Sequence, residues 1–340
     1  MMTSTGYGKK RITLKDVAKA TGLAVPTVSR ILNDKDNYCS QETRDAVLRM
    51  AREMNYQPNV GYHIMTGMKT NIVAIVFSQK RLGKEEHLLK LSMALTCALE
   101  QRGFAVYSAL LPLEDEKSLE KIRELEGKGC RHFIFIGTPV GYEGIVQYIK
   151  GADHAYIGVN SYAFEKQIWL TGEQAIKEYV GYFRGRGIDP FRIVMPKMFY
   201  ESWLLPEITP DELPFYQERL CLVELSEKPD EDWFDKRFKI GYQVAEQEYS
   251  KLPGLRGLIF LSDYYALGAA RFFLERGMTV GSDVFLCGMF NTSAARFSPV
   301  PIISSDFRLD ETAEQILDRL LEPPPVFLKI KPDIITERDM

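Results

Sequence analysis

Residues 16–33 read DVAKATGLAVPTVSRILN, two short apolar-periodic runs on either side of a glycine. Thr13 stands before Leu14, Lys15 and Asp16, so a hydroxyl cap with a carboxylate three residues on opens a helix that runs through Ala20. Asp16 also suits the positive end of that helix. Leu14, Val17 and Ala18 fall at helical spacing as one buried stripe, and Gly22 supplies the backbone freedom for a tight turn. A second helix starts near Val25, where Pro26 is tolerated because first-turn amides have no intrahelical partner to lose. Val28, Ile31 and Leu32 face the first helix, which leaves Val25, Pro26, Thr27, Ser29, Arg30 and Asn33 for the opposite face. Ser40 caps a third helix that carries Val47, Met50, Ala51 and Met54 and ends at Asn55, before Pro58. Three short helices with a glycine turn between the first two make a helix-turn-helix unit, whose second helix enters the DNA major groove. A packing module that binds nothing fits the same pattern of helices.

Charge bears on the choice. The 340 residues carry a net charge of −3, which taken alone argues against a nucleic-acid partner. Residues 1–70, however, hold eleven Lys and Arg against six Asp and Glu, a balance of +5, and the remainder holds 32 against 40, a balance of −8. A basic head on an acidic body is the asymmetry expected when one end meets phosphate. With 45% hydrophobic and 26% charged residues, the composition is that of a globular protein, long enough for a small module and a large two-part domain. No apolar run reaches about 18 residues and MMTSTGYGKKRITLKDV has no apolar core, so neither a membrane span nor a secretory signal is expected and the cytoplasm is the expected compartment. Cys39, Cys97, Cys130, Cys221 and Cys287 are scattered without a CxxC pair, as small apolar residues in a reducing compartment.

Beyond the third helix, NVGYHIMTGMKT reads as a linker. From Asn71 apolar strands alternate with longer helices: NIVAIVF, helix 84–102, FAVYSALL, helix 114–127, HFIFIG, a helix near 143–150 and HAYIGVN. A second series follows with IWL, helix 172–186, FRIVMP, a poorly patterned stretch, RLCLVEL, helix 235–250, GLIFL, helix 264–276 and DVFLCG. Such alternation indicates parallel sheets covered on both faces, and two series indicate two lobes with a ligand cleft beyond the strand carboxyl ends.

TLKDVAKATGLAVPTVSRILN followed by SQETRDAVLRMAREMNYQPN resembles the DNA-binding domain of LacI-type transcriptional regulators, in the DVA run, the TVSR tetrapeptide, the ILN ending, the TR of the third helix and the NYQPN exit. GLIFLSDYYALGAARFFLERGMTVGSDVFLCG and PIISSDFRLDE resemble the effector-binding body of the same family, with its Asp-x-x-Ala-x-Gly helix start. The resemblance spans essentially the whole chain. It implies a small all-α helix-turn-helix head on an α/β two-lobed body of the periplasmic-binding-protein type 1 fold with parallel sheets. The expected division is a head over 1–58, a hinge over 59–70 and a body over 71–340. The first lobe is expected over about 71–161 and 292–322, and the second over about 162–291 and 323–340.

The resemblance also implies roles. Val25 and Pro26 hold positions that read base edges, and being apolar they suit a thymine methyl. Arg30 is the candidate for guanine, while Thr13, Thr27, Ser29 and Asn33 are candidates for phosphate. In the hinge, Met65 holds the position of a leucine that wedges into the minor groove, and Tyr62 and His63 replace an Ala-Arg pair. Ala24 stands where the family has a serine cap. For the cleft the resemblance implies Ser78, Thr138, Trp169, Ser262, Asp263, Phe290, Asn291 and Phe307, with Phe290 in place of an aspartate that holds sugar hydroxyls. A cleft of that kind suits an aromatic or more apolar effector better than a simple sugar, although plain core packing explains Phe290 and Phe307 equally well.

The expected partners are a pseudo-palindromic double-stranded operator, a second copy of the chain and a small-molecule effector, sugar-like or aromatic. A cleft given over to a protein partner and a solute-binding protein without a DNA role are the alternatives. The tail PDIITERDM has no leucine heptads, which disfavours a coiled-coil tetramer. No GxSxG, HExxH, Walker or GxGxxG pattern is present, so catalysis is not expected. His63, His87, His132 and His154 lack i, i+4 partners, so no metal and no cofactor is expected, and EEH at 85–87 reads as a solvated helix start.

Overall fold

The computed structural model describes residues 12–32, 39–56, 70–78, 85–139, 141–224 and 233–336, which fall into two compact units, Met1–Thr70 and Asn71–Met340. In the first unit, helix α1 (Leu14–Thr21) opens on the expected capping box. The Thr13 amide and hydroxyl donate to Asp16 Oδ2 at 2.8 and 2.7 Å, and the Asp16 amide donates back to Thr13 Oγ1 at 3.4 Å. Gly22 ends the helix at φ 69°, a left-handed conformation that costs glycine least. Helix α2 (Val25–Leu32) follows, its first turn closed by the Thr27 and Val28 amides on the Ala24 carbonyl. Ser40 caps α3 (Gln41–Glu53) through the Thr43 amide. Val17, Ala18, Val28, Ile31, Val47 and Ala51 are buried together, two from each helix, so three helices too short to persist alone share one core.

The second unit is α/β. Its first series comprises β1 (Ile72–Phe77), α4 (Glu86–Gln101), β2 (Ala105–Leu110), α5 (Asp115–Gly127), β3 (His132–Ile136), α6 (Tyr142–Gly151), β4 (Ala155–Val159) and β5 (Lys166–Leu170). Next come α7 (Gly172–Gly185), β6 (Phe191–Pro196), helical turns over 197–207, α8 (Leu213–Arg219), β7 (Leu220–Val223), α9 (Trp233–Lys251), β8 (Gly257–Phe260), α10 (Asp263–Glu275) and β9 (Phe285–Cys287). The chain continues through α11 (Ser293–Arg296), β10 (Ser304–Asp306), α12 (Leu309–Leu320), β11 (Val326–Ile330) and β12 (Asp333–Ile335). The stretch without clear pattern in the sequence thus forms the turns over 197–207 and α8.

Two parallel sheets form the lobes, one with strand order β11-β5-β4-β3-β1-β2 and one with β7-β6-β8-β9. Strand β10 pairs antiparallel with β12, and Ile303 bridges Cys287, so this small ribbon continues the second lobe. These pairings correct the expected lobe borders. Residues 166–170 and 326–330, expected in the second lobe, belong to the first sheet because β5 pairs with β4 and β11 with β5. Residues 292–306, expected in the first lobe, belong to the second. The chain crosses between lobes after Leu170, after Phe307 and after Ile330, and the Thr171 amide and hydroxyl both donate to the Ile330 carbonyl.

Helices α4 and α12 pack on the first lobe, and α9 and α10 pair on the second. One apolar cluster runs from Ile75 and Leu91 through Leu170 and Phe307 to Phe183 and Ile259, so the crossings are embedded in core. Gly268 in α10 lies against the Phe238 carbonyl of α9, where an added Cβ would come within 2.0 Å of that oxygen. This close approach seats Arg237 of α9 beside Ser262, at the start of α10. Among the described residues, no helix is long and apolar enough to cross a membrane.

Candidate functional site

In the first unit, α2 presents Pro26 and Arg30 to the exterior one helical turn apart, while Thr27 and Ser29 are half-buried. Val25, expected on the same outer face, is half-buried and packs against the helical core. Thr13 is exposed, with its hydroxyl engaged on Asp16 as a cap. Asn33, Tyr62, His63 and Met65 lie outside the described residues. The outer face of α2 therefore combines one guanidinium with an apolar ring, a set that can donate to guanine O6 and N7 and meet a thymine methyl.

In the second unit, the site grows from the carboxyl ends of the parallel strands. Ser78, beyond β1, is buried and donates to the Gly137 carbonyl at 2.5 Å. Thr138, beyond β3, lies 3.1 Å from the Ser161 hydroxyl beyond β4. From the second lobe, the loop 288–292 after β9 carries Phe290 and Asn291, both at positive φ, 82° and 45°. The Phe290 amide donates to Ser305 Oγ at 3.3 Å and the Asn291 amide to Ser304 Oγ at 2.9 Å, while Asn291 Nδ2 donates to Asp306 Oδ2 at 2.9 Å. Tyr179 of α7 donates to the Gly288 carbonyl at 2.7 Å.

Asp263 holds this loop from beneath. Its Oδ2 accepts from the Thr292 amide and hydroxyl at 2.7 and 2.8 Å, and its Oδ1 from Ser304 Oγ at 2.7 Å. Burial pushes its carboxyl up to about 7, against the pull of the Ser304, Thr292 and Met289 donors. Asp263 was expected to meet an effector, but it is 0% exposed and its oxygens are committed inward, so it positions the loop instead. Ser262 caps α10 through the Tyr264 amide and accepts from Arg237 at 3.4 Å.

Phe290 is the centre of a stack. The ring of His87, from the first turn of α4, lies parallel to it at 3.7 Å and 2°, and Phe307, at the second lobe crossing, lies 5.3 Å away on a 30° tilt. Phe307 is buried, as packing alone would have it, whereas Phe290 is half-buried. Trp169 is not part of this cluster. It sits in β5 with its indole N–H on Gln167 Oε1 at 3.0 Å, on the strand face opposite Ile168 and Leu170, which enter the core.

The tripeptide Glu85-Glu86-His87, expected as a solvated helix start, is instead engaged with the second lobe at every position. Glu85 is buried and accepts from Arg237 Nη2 and Nη1 at 2.5 and 2.8 Å. Glu86 Oε1 accepts from the Ser293 amide and hydroxyl at 2.9 and 2.8 Å, and Oε2 accepts from the Tyr264 hydroxyl at 3.0 Å. Burial raises the Glu86 carboxyl, but bonds from Lys90, Ser293 and Tyr264 outweigh it and hold the group below the usual carboxylate range. Burial drives His87 down to about 4, so its imidazole is neutral near pH 7. The signal available in the sequence was only two carboxylates and a histidine where a helix begins, and their partners lie 152 to 207 residues away.

Residues 13–59 match the family described as bacterial regulatory proteins, lacI family. The chain is 42% identical over 66 residues to the HTH-type transcriptional regulator DegA of Bacillus subtilis (strain 168), a match that spans 19% of each protein. Over a longer span it is 24% identical to the HTH-type transcriptional regulator CelR of Thermobifida fusca, covering 92% of this chain and 93% of that one. A solved structure of the lac repressor dimer bound to operator and the anti-inducer ONPF matches with a TM-score of 0.70 at 18% identity, over 96% of this chain and 98% of that one. At that identity the likeness speaks for the fold, a helix-turn-helix head with a periplasmic-binding-protein-like body.

Proposed function

We propose that the chain is a LacI-type DNA-binding transcriptional regulator that acts as a repressor, binding a pseudo-palindromic operator as a homodimer under the control of a small-molecule effector. The observation that carries this reading is α2, held by the capped α1 and the Gly22 turn with Pro26 and Arg30 on its outer face. Arg30 is assigned to a guanine, Pro26 and the edge of Val25 to a thymine methyl, and Thr13, Thr27, Ser29 and Asn33 to phosphates. Met65, flanked by Tyr62 and His63, is assigned to a minor-groove wedge. Two copies are required because one module buries too little surface for useful specificity.

The effector is assigned to the cleft between the lobes, with Thr138 on one wall and Phe290 and Asn291 on the other, backed by the buried Ser78 and Phe307. A flat, weakly polar molecule suits a wall built on Phe290 better than a simple sugar does. The protein works in the cytoplasm, and catalysis has no part in this reading.

The test is selection of binding sites from random duplex DNA with the full chain, followed by affinity measurement for the parent and Arg30→Ala on the selected site. The expected outcome is an enriched palindrome, with preference lost at one position of each half-site and binding weakened by about 1–3 kcal/mol in the variant. An equal loss on all sequences would move Arg30 to a phosphate. No enrichment would overturn the function.

A further inference from the structure

We propose that Glu85, Glu86 and His87 form an internal clasp that holds the two lobes of the body closed without a ligand, with the His87 imidazole occupying the stacking position over Phe290. This rests on the effector-cleft reading only for the location of the site, and its test reads the lobes themselves, so it can fail while operator binding stands.

Three consecutive residues of the first lobe between them reach four segments of the second. Glu85 takes Arg237 of α9 with two oxygens, Glu86 joins Tyr264 of α10 to Ser293 at the start of α11, and His87 lies on Phe290. Each carboxylate oxygen of Glu85 and Glu86 has a donor across the gap, a guanidinium for Glu85 and neutral donors for Glu86. Glu86 satisfies both oxygens across the gap while Lys90, one turn on, holds it from its own helix at 2.7 Å. Glu85 is the N-terminal residue flanking α4 and makes no side-chain cap there, so its carboxylate is directed to the opposite lobe rather than to its own helix. Removing one member of a buried ion pair leaves the other uncompensated, which makes such a contact close to all-or-none.

The receiving surface is rigid. The loop 288–292 is fixed by Asp263, Ser304 and Ser305, and the close packing of α9 on α10 sets Arg237 and Tyr264 on one side. A planar imidazole parallel to Phe290 at 3.7 Å fills the face that a ligand ring would need. An effector entering here has to displace His87, so the clasp makes the chain selective for flat rings that stack at least as well as imidazole.

The experiment is amide hydrogen exchange on the full chain without ligand, comparing the parent with Glu85→Gln/Glu86→Gln and with His87→Ala. In the parent, the Ser293 amide, which donates to Glu86, should be protected. In the double variant its exchange should accelerate about tenfold or more while β1 and β3 keep their protection, because local opening leaves the sheet intact. Addition of imidazole to His87→Ala should slow exchange in the 288–293 segment again. Three results would overturn the clasp: an unprotected Ser293 amide in the parent, unchanged exchange in the double variant, or no response of His87→Ala to imidazole. Should the double variant unfold, the response of His87→Ala with and without imidazole decides the matter alone.

Discussion

Asp263 and His87 are both buried beside the 288–292 loop, and burial moves their protonation in opposite senses. His87, at about 4 in the folded chain against 6.5 when unfolded, favours folding above pH 6.5 and loses that contribution as pH falls toward 4, a span of roughly 3 kcal/mol. Asp263, at about 7 against 3.8, contributes below pH 3.8 and loses it as pH rises through 7, roughly 4 kcal/mol in the other direction. Between about pH 4 and 6.5 the two slopes oppose each other. Replacement of His87 by Leu is therefore expected to remove one and expose the other: relative to the parent, the variant should lose stability as pH rises across that window. Urea denaturation at a series of pH values checks this, and parallel profiles for the two proteins would show His87 titrating normally in the folded chain. Phe290 adds a different residue-scale cost. A φ of 82° in a residue with a side chain stores about 1–3 kcal/mol, and the bonds from Ser304, Ser305 and Asp263 to this loop are what hold it there.

Within the head, α2 differs from α1 and α3 in having no side-chain cap. Ala24 stands at its entrance with no side-chain oxygen, and the Thr27 amide falls back on the Ala24 carbonyl at 2.9 Å. Pro26 lowers the need by one donor. Ala24→Ser should satisfy the Thr27 amide from a side chain and raise the stability of the head by about 0.5–2 kcal/mol, read as a higher midpoint in its thermal unfolding. A midpoint unchanged or lowered would mean that the present backbone closure is already sufficient. α1 shows the contrast, since Thr13 and Asp16 cap each other reciprocally and the pattern was legible three residues apart in the chain. α4 was legible as a helix but not as a clasp, because helical periodicity reports which face is apolar and says nothing of what the first turn meets.

At the scale of the whole molecule, the uneven charge becomes a binding property. The excess of five basic residues over 1–70 sits on a chain whose remainder carries an excess of eight acidic ones. Operator affinity should come from the head through counterion release, falling at least about a thousandfold between 50 and 200 mM salt, whereas effector binding to the body should hardly respond. Titration of both in the same buffers measures this, and an operator affinity indifferent to salt would remove phosphate contact from the account.

What the sequence determined by itself is what local spacing controls: three short helices, the first and third capped, with a glycine turn between the first two, the apolar runs of the strands, the alternation that makes the sheets parallel, and the separation of a basic head from an acidic body. These depend on residues a few positions apart, and the described elements match them closely. The tertiary structure alone decided which sheet each strand joins, where the lobes cross, and which groups meet in the cleft. Residues 166–170 pair with 326–330, and Glu85 meets Arg237. Such pairings are chosen by the complementarity of surfaces brought together only after the chain has folded, and no period in the sequence encodes them. Asp263 shows the difference in one residue: its motif marked it as important, but only its burial shows that it faces inward to fix the loop on which the cleft depends.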